Sequence, residues 1–306
     1  MNINNSTVKL NNIIASANSI ILGKEHKLRL ALTCILAKGH LLIEDLPGVG
    51  KTTLAHTMAQ LLGLQFSRIQ FTSDMLPADV LGISIFEQNN NLFVFHPGPI
   101  FSNVLLADEI NRATPKSQSA LLEAMEEQQV TLDGKTRELP KPFFVIATQN
   151  PSEQIGTFAL PESQLDRFLM SISLGYPDAQ AERQLLVSND RREALTNLAA
   201  CLNEHELKEM QDQVQHITTS DALLDYVQAL LSYTRDSGLF EYGLSPRAGL
   251  ALLHVSKAWA MLNDRDYVIP EDVQAVLPSV VGHRLHPVDP DSVQAVDALL
   301  QDVAIP

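Results

Sequence analysis

A short glycine-containing turn carries residues that could hold a phosphate group. Gly48, Gly50, Lys51 and Thr52 lie within five positions of one another, between an apolar segment and a helical one. Glycines let a loop fold so tightly that several N–H groups point at one anion, and the start of the next helix adds positive partial charge. Lys51 would reach the β- and γ-phosphates of a nucleotide, and the Thr52 hydroxyl would bind Mg²⁺. The pattern predicts a phosphate-binding loop.

The first position of this loop departs from the usual pattern. Such a loop ordinarily starts with glycine five residues before the second required glycine, and Asp45 stands there. Asp tolerates left-handed backbone better than most residues, so we expect the loop to close around Asp45. The alternative interpretation of the segment is a chance glycine-rich turn between a strand and a helix.

Two adjacent acids follow a later apolar run. Asp108 and Glu109 come directly after Val104–Ala107, which reads as a buried strand. Such a strand delivers the next residues to the carboxyl edge of the sheet, where open α/β sheets bind ligands. We expect Asp108 to hold the hydration shell of Mg²⁺ and Glu109 to orient and deprotonate the attacking water. A solvated acidic turn is the alternative, and the phosphate-binding loop upstream disfavours it.

Three further polar residues could complete this chemistry. Asn150 ends another apolar run and could place a polar group between a γ-phosphate and water, although Asn at a strand end is commonly a turn residue. Arg167 lies at an apolar helix end, and Arg247 begins a helix with Ser245 as N-cap and Pro246 at its first position. Either arginine could supply positive charge to a transferring phosphoryl group. A surface ion pair is the alternative for both.

The elements that position these residues alternate between strand and helix as far as Pro177. This order predicts an α/β domain, residues 1–177, with a parallel sheet covered by helices on both faces, and an all-helical domain, residues 178–306. The predicted helices of the first domain are Leu10–Ile21, Glu25–Lys38, Lys51–Leu62 and Lys116–Glu127, its strands are His40–Glu44, Phe66–Phe71, Asn103–Ala107, Phe143–Ala147 and Met170–Leu174, and its hairpins are Ile83–Phe95 and Val130–Leu139. The helices predicted after it are Ala179–Val187, Asp221–Thr234, Pro246–Leu262, Pro270–Val276 and Asp291–Ala304.

Composition limits the class of protein. The chain has 306 residues and is 45% hydrophobic, which excludes a disordered chain, and its 22 basic and 36 acidic residues give a net charge of −14. An acidic balance disfavours generic DNA binding.

Cys34 and Cys201 predict neither a disulfide framework nor a thiolate zinc site, so we expect the protein to lie in the reducing cytoplasm. No secretory signal or membrane-spanning run is predicted, and His283 and His286 lack the acidic neighbours that a zinc site would favour.

Six ordered strings together resemble the AAA+ ATPases and, within them, the MoxR family. They cover nearly the whole chain and are Leu46-Pro-Gly-Val-Gly-Lys-Thr52, Asp108-Glu-Ile-Asn-Arg-Ala113, Ser119-Ala-Leu-Leu-Glu-Ala-Met-Glu-Glu127, Ala147-Thr-Gln-Asn-Pro151, Leu160-Pro-Glu-Ser-Gln-Leu-Asp-Arg-Phe-Leu169 and Ser245-Pro-Arg247.

The resemblance implies a role for each matching position. Asp108 and Glu109 match Walker B, Asn150 matches sensor 1, Arg167 matches the arginine finger that acts on a neighbouring subunit's nucleotide, and Arg247 matches sensor 2 of the lid. Walker A and the base pocket together imply ATP contacts from Leu22, Gly23, Pro47, Gly48, Val49, Gly50, Lys51, Thr52 and Thr53, with Thr52 and Asp108 toward Mg²⁺.

The resemblance also implies partners and a task. It predicts an ATP-hydrolysing ring, with six subunits expected, that acts as a chaperone-like remodeller in protein maturation, metal insertion or complex assembly. A partner with a von Willebrand factor A domain would be a separate polypeptide, because its metal motif is absent from this sequence. Two alternatives stay open: a magnesium-chelatase-like or nucleic-acid-linked motor, and a nucleotide-gated scaffold that hardly cleaves ATP. The acidic charge opposes a nucleic-acid motor, and Glu109 and Arg167 oppose the scaffold.

Overall fold

A five-stranded parallel sheet forms the centre of the first part of the chain. The computed structural model describes residues 3–89, 91–150, 156–187, 195, 198–289 and 295–305. Its strands are β1 (Leu41–Glu44), β2 (Phe66–Gln70), β3 (Gly82–Glu87), β4 (Leu92–Pro97), β5 (Val104–Asp108), β6 (Gln129–Leu132), β7 (Lys135–Glu138), β8 (Phe144–Gln149) and β9 (Met170–Ile172). The sheet has the order β2-β5-β8-β1-β9, and its neighbouring strands are all parallel.

The register brings the carboxyl ends of the strands to one edge. Glu44 is opposite Gln149, and Gln70 is opposite Asp108. The loops that follow β1, β5 and β8 therefore leave the sheet side by side. This edge is where an open α/β sheet binds its ligand.

The helices cover both faces of the sheet. They are α1 (Ile3–Ile20), α2 (Glu25–Leu36), α3 (Lys51–Leu61), α4 (Pro77–Leu81), α5 (Pro115–Glu127), α6 (Glu162–Leu165), α7 (Ala179–Val187), α8 (Glu204–Gln215), α9 (Asp221–Asp236), α10 (Pro246–Leu262), α11 (Pro270–Val281) and α12 (Ala295–Asp302), with a 3₁₀ turn at Ile110–Arg112. Successive side chains of a strand point to opposite faces. Accordingly, Leu106 packs with α1–α3, whereas Leu105 and Ala107 pack with α5. The predicted parallel sheet with helices on both faces is confirmed.

After β9, the described residues contain helices but no further strand of the sheet. Buried side chains of α8–α12 join the same apolar cluster that contains α1 and α2. The helical part therefore packs directly on one face of the α/β part. Among the described residues, no helix is both long and apolar enough to cross a bilayer.

Two helices differ from the sequence-based prediction in an informative way. Helix α8 was not predicted, because polar residues dominate it, although Leu207 and Met210 lie buried at helical spacing. Asn203 accepts from the Glu206 N–H while the Glu206 carboxylate accepts from the Asn203 N–H, a capping box that marks where α8 starts. Helix α1 begins at Ile3 rather than Leu10, since Ser6 donates to Gln213 of α8 and so anchors its polar first turns.

Two antiparallel hairpins lie outside the sheet. The first joins β3 to β4 and the second joins β6 to β7, as predicted, with Asp133 and Gly134 in the second turn. The guanidinium of Arg137 lies over the Phe95 ring, 3.9 Å from its centre, and so fastens one hairpin to the other. Asn90, in the predicted turn of the first hairpin, and residues 291–294, in the last predicted helix, lie outside the described residues.

Candidate active site

The phosphate-binding loop joins β1 to α3. Gly48 and Gly50 have φ angles of +86° and +98°, which L side chains rarely adopt, so glycine is required by conformation at both positions. A Cβ atom added to either glycine would meet nothing within 4 Å. The space beside both glycines is therefore open. Lys51 is the first residue of α3 and is largely buried. Its Nζ donates to the main-chain oxygen of Asp45 at 2.7 Å.

The side chain of Asp45 supports the loop, and its backbone is not left-handed: Asp45 is not among the positive-φ residues of the described chain. Its side chain is only 7% exposed and works as an acceptor: Oδ1 accepts from the Leu46 N–H, and Oδ2 accepts from the N–H groups of Leu174 and Gly175. The Asp45 carboxylate therefore ties the start of the loop, through hydrogen bonds, to the segment after β9.

Thr148 organises the acidic pair at the end of β5. Its hydroxyl donates to Asp108 Oδ1 at 2.6 Å and accepts from the Glu109 N–H at 2.9 Å. Glu109 has left-handed backbone (φ +56°, ψ +50°), a conformation that costs a non-glycine residue about 1–3 kcal/mol. That turn separates the two carboxylates, so the Glu109 carboxylate reaches Arg112 Nε at 2.8 Å. The two acids can hold different partners.

Arg68 is a site residue that the sequence analysis missed. Its guanidinium contacts Asp108 Oδ2 at 2.7 Å and Gln70 Oε1 at 3.0 Å. Arg68 lies in β2, and only the strand order places β2 beside β5. No signal in the sequence sets that order. The remaining predicted carboxyl-edge residue, Asn150, is buried directly after β8, where its main-chain oxygen accepts from Asn111 at 3.4 Å.

A cavity of about 470 Å³ adjoins the loop. Gly48, Val49, Gly50 and Thr53 line it on one side, and Leu22 lines it from the turn after α1. Its other walls come from Lys24, Tyr176, Pro177 and the helix α7 residues Glu182, Leu185 and Leu186. This volume falls within the usual range for a small-molecule site.

The other predicted contact residues lie around that cavity rather than in its described lining. Gly23, with φ +68°, packs against the start of α7: an added Cβ would lie 3.1 Å from Asp178 and from Ala181. Pro47 is exposed in the loop, and Thr52 is half-buried in the first turn of α3. Glycine at position 23 thus permits the close approach of α7.

The two predicted arginines meet in a second cavity, of about 250 Å³, which we call the arginine pocket. Arg167 contacts Glu126 Oε2 at 2.7 Å and donates to the Leu122 main-chain oxygen at 2.8 Å. Arg247 lies 3.5 Å from Glu126 Oε1 and 3.9 Å from Asp166 Oδ2. Ser245 caps α10 and Pro246 is at its first turn, as predicted.

Arg284 and His40 also line the arginine pocket. Arg284, after α11, is buried and binds Asp166 Oδ1 at 2.7 Å. His40 accepts from the Val145 N–H through Nδ1, and burial lowers the pKa of His40 to about 4. The described lining includes no residue of the phosphate-binding loop. The two cavities are separate.

His283 and His286 follow α11 and have different surroundings. His283 lies 3.0 Å from the main-chain oxygen of Phe168 through Nε2, and burial lowers the pKa of His283 to about 3. His286 faces Glu162 at 3.6 Å. In the part of the chain that the structure describes, no three His, Cys, Asp or Glu side chains are grouped so as to hold a metal ion.

Comparison with known proteins identifies the family. The profile of the ATPase family associated with various cellular activities (AAA) matches residues 40–170, and that of the AAA lid domain matches residues 232–303. The uncharacterised protein YeaC of Bacillus subtilis is 44% identical over 91% of this chain and 88% of its own. Chaperone MoxR1 of Mycobacterium tuberculosis is 39% identical over 97% of this chain and 82% of its own.

A solved structure agrees. The crystal structure of a candidate ATPase from Cytophaga hutchinsonii is 36% identical, covers 98% of this chain and 96% of its own, and superposes with a TM-score of 0.88. The fold, the ordered motifs and the relatives all indicate the same family. This chain belongs to the MoxR family of AAA+ ATPases.

Proposed function

We propose that this protein hydrolyses ATP in a ring, with each active site shared by two subunits, and uses the energy to remodel other proteins. The observation that carries the proposal is the separation of the two cavities. Part of the phosphate-binding loop (Gly48, Val49, Gly50 and Thr53) lines one of them, and the arginines suited to stabilise phosphoryl transfer line the other. A subunit so built needs a neighbour to complete its site.

The loop residues fit a nucleotide and Mg²⁺. The main-chain N–H groups of the loop would face the phosphates, the largely buried Lys51 ammonium would turn from the Asp45 oxygen to a phosphate, and Thr52 and Asp108 would hold the metal. Bound there, Mg²⁺ supplies charge neutralisation at the phosphate oxygens. Glu109 orients the attacking water and accepts its proton. The side chain of Asn150 provides a polar group at the same edge of the sheet.

The arginine side of each subunit is built to face a neighbour. Arg247 is 59% exposed at its side chain, and Leu250, one turn later on α10, is 69% exposed. At the rim of the nucleotide cavity, Tyr176 and Leu186 are 72% and 83% exposed. A head-to-tail contact between these two unlike faces closes into a ring if the rotation permits, and we propose six subunits.

The name of one relative supports the proposed task of the ring. MoxR1 is named a chaperone, and we propose that the client here is also a protein, handled during maturation, metal insertion or complex assembly. A separate partner with a von Willebrand factor A domain would present it. Nucleotide exchange would move the lid, residues 178–306, against the α/β domain. The unpaired thiols of Cys34 and Cys201 favour the cytoplasm as the compartment.

The test mixes two inactive variants. Lys51→Ala lacks a working loop but keeps Arg167, and Arg167→Ala lacks the finger but keeps its loop. If sites are shared between subunits, an equimolar mixture regains about a quarter of the wild-type ATP turnover, because that share of random contacts pairs a good loop with a good arginine.

The controls separate the alternatives. Each variant alone stays inactive at every protein concentration, and a mixture of Lys51→Ala with Lys51→Ala,Arg167→Ala regains nothing. Failure of the productive mixture to regain turnover while wild type is active contradicts a shared site. ATP binding by wild type with no turnover at any concentration would instead favour a nucleotide-gated scaffold. Turnover that rises on adding DNA would favour a nucleic-acid motor.

A further inference from the structure

We propose that Asp45 is a positioning residue that fastens the phosphate-binding loop to the connector, residues 173–176, and so sets the width of the nucleotide cavity. The inference rests on the proposed function, since it concerns how that cavity holds its nucleotide. It assigns a role to the position where the chain departs from the usual loop pattern.

The first observation is that the Asp45 carboxylate is buried and fully engaged. Oδ2 accepts from the N–H groups of Leu174 at 2.6 Å and Gly175 at 2.7 Å, and from the Ser173 hydroxyl at 3.2 Å. Hydrogen bonds to an ionised acceptor are about twice as strong as neutral ones. Gly175 has φ +63°, which lets neighbouring N–H groups turn toward one anion. The connector therefore forms a small anion-binding turn whose anion is Asp45.

The second observation is that the connector is a wall of the nucleotide cavity. Tyr176 and Pro177, which line the cavity, follow Gly175 directly, and α7 begins two residues later. Lys24 also holds this segment by donating to the Tyr176 main-chain oxygen at 2.5 Å. Asp45 thus fixes how far this wall stands from the loop.

The third observation links Asp45 to phosphate binding. Its main-chain oxygen accepts from the Lys51 ammonium at 2.7 Å. When Lys51 turns to a phosphate, that bond is lost while the carboxylate bonds persist. Asp45 is therefore placed to pass a change at the loop to the connector and to the first lid helix.

The experiment compares three substitutions. Asp45→Gly restores the residue of the usual loop and removes every carboxylate bond. Asp45→Asn keeps the shape and one acceptor oxygen for the connector. Glu44→Gln is the matched control, because Glu44 is the neighbouring carboxylate but accepts from Gln149 and Ser171 and not from the connector.

Two readouts are needed. Amide hydrogen exchange of the nucleotide-free protein measures how well the N–H groups of residues 174 and 175 are protected by their hydrogen bonds to Asp45. We expect these two amides to exchange at least about tenfold faster in Asp45→Gly than in wild type. The dissociation constant for ADP with Mg²⁺, and KM for ATP, should rise by at least about tenfold in Asp45→Gly, while kcat at saturating ATP stays within a few fold of wild type. Asp45→Asn should lie between Asp45→Gly and wild type, and Glu44→Gln should match wild type in both readouts.

The outcomes decide the matter. Wild-type exchange and wild-type KM in Asp45→Gly overturn the proposal, as does an equal effect of Glu44→Gln. A loss confined to kcat assigns Asp45 to the chemical step and also overturns it. If Asp45→Gly does not fold, Asp45→Asn carries the test. Should the wild type fail to bind nucleotide at all, the proposed function fails, but exchange in the nucleotide-free protein still tests whether Asp45 holds the connector.

Discussion

The phosphate-binding loop and the arginine pocket differ in how they hold charge. The loop offers main-chain N–H groups and one buried lysine, set by a strand, two left-handed glycines and a helix start. The arginine pocket offers guanidinium groups that already bind Glu126 and Asp166, and it draws on both the α/β part and the lid. The loop is built by local sequence and is ready for a ligand. The pocket is built by tertiary packing and must exchange partners before it can act on one.

The sharpest way to test this contrast is to remove one group from the arginine pocket. Arg167→Ala should leave ATP affinity within a few fold of wild type and lower turnover by about 10³-fold or more, because a finger acts in the transition state of a neighbour's site. Turnover and nucleotide titration measure the two effects. Lys116→Ala, which removes an exposed cation on α5, is the control. Unchanged turnover would remove Arg167 from this role.

The loop side of the contrast is tested by separating binding from chemistry. Glu109→Gln should bind ATP as wild type does and lose about 10²–10⁴-fold in turnover, because a general base is lost while the phosphate contacts remain. Lys51→Ala should lose binding itself. Nucleotide affinity is measured by titration with a fluorescent ATP analogue. Equal affinity of Lys51→Ala and wild type would contradict the loop assignment.

Unfolding at acid pH tests the burial of His40, which lines the arginine pocket. Burial lowers the pKa of His40 from 6.5 to about 4, so between these pH values the unfolded chain binds the proton that the folded chain refuses. The free energy of unfolding should fall by about 3 kcal/mol from this residue as the pH drops from 6.5 toward 4, and stay level above that window. His40→Gln should reduce that slope in urea unfolding and leave the part that comes from His283, whose pKa burial lowers to about 3, whereas exposed His205→Gln should leave the slope unchanged. An unchanged slope would show that His40 is protonated when folded.

The smallest effect concerns the carboxylate shared by the two arginines. Glu126→Gln should let Arg167 and Arg247 leave for a neighbouring subunit more readily, because a partly exposed ion pair contributes little. We expect the protein concentration that gives half-maximal turnover to fall by at most about fivefold. Glu127→Gln, the exposed neighbour, is the control. A rise in that concentration would mean that Glu126 positions the arginines instead of restraining them.

The predicted fold agrees with the structure where local patterns are strong. Alternating apolar strands and helices indicated the parallel sheet, and helices Ala179–Val187 and Pro246–Leu262 have the predicted ends. Helix α8 was missed because its polar residues outnumber the buried ones that fix it to α2 and α10. Helix α11 continues past the predicted Val276 to Val281, through Pro278, because its last turns are buried.

The candidate site divides in the same way. The spacing of Gly48, Gly50 and Lys51 is a local pattern, so sequence reasoning could place the loop in the chain, although the Asp45 bonds to Leu174 and Gly175 that support it are distant in sequence. Arg68 could not be found, since it reaches Asp108 across two strands that only the sheet order makes neighbours. The partners of Asp45 could not be found either, because they lie about 130 positions along the chain.

By itself, the sequence determined the class of fold, the phosphate-binding loop and the acidic strand end, because each follows from side-chain period or backbone conformation over a few residues. Only the tertiary structure decided that Arg167 and Arg247 share Glu126 away from the loop, and that the Asp45 carboxylate binds the connector. These arrangements depend on which charged and polar groups the packed core brings within hydrogen-bond distance, and no short stretch of sequence encodes that distance.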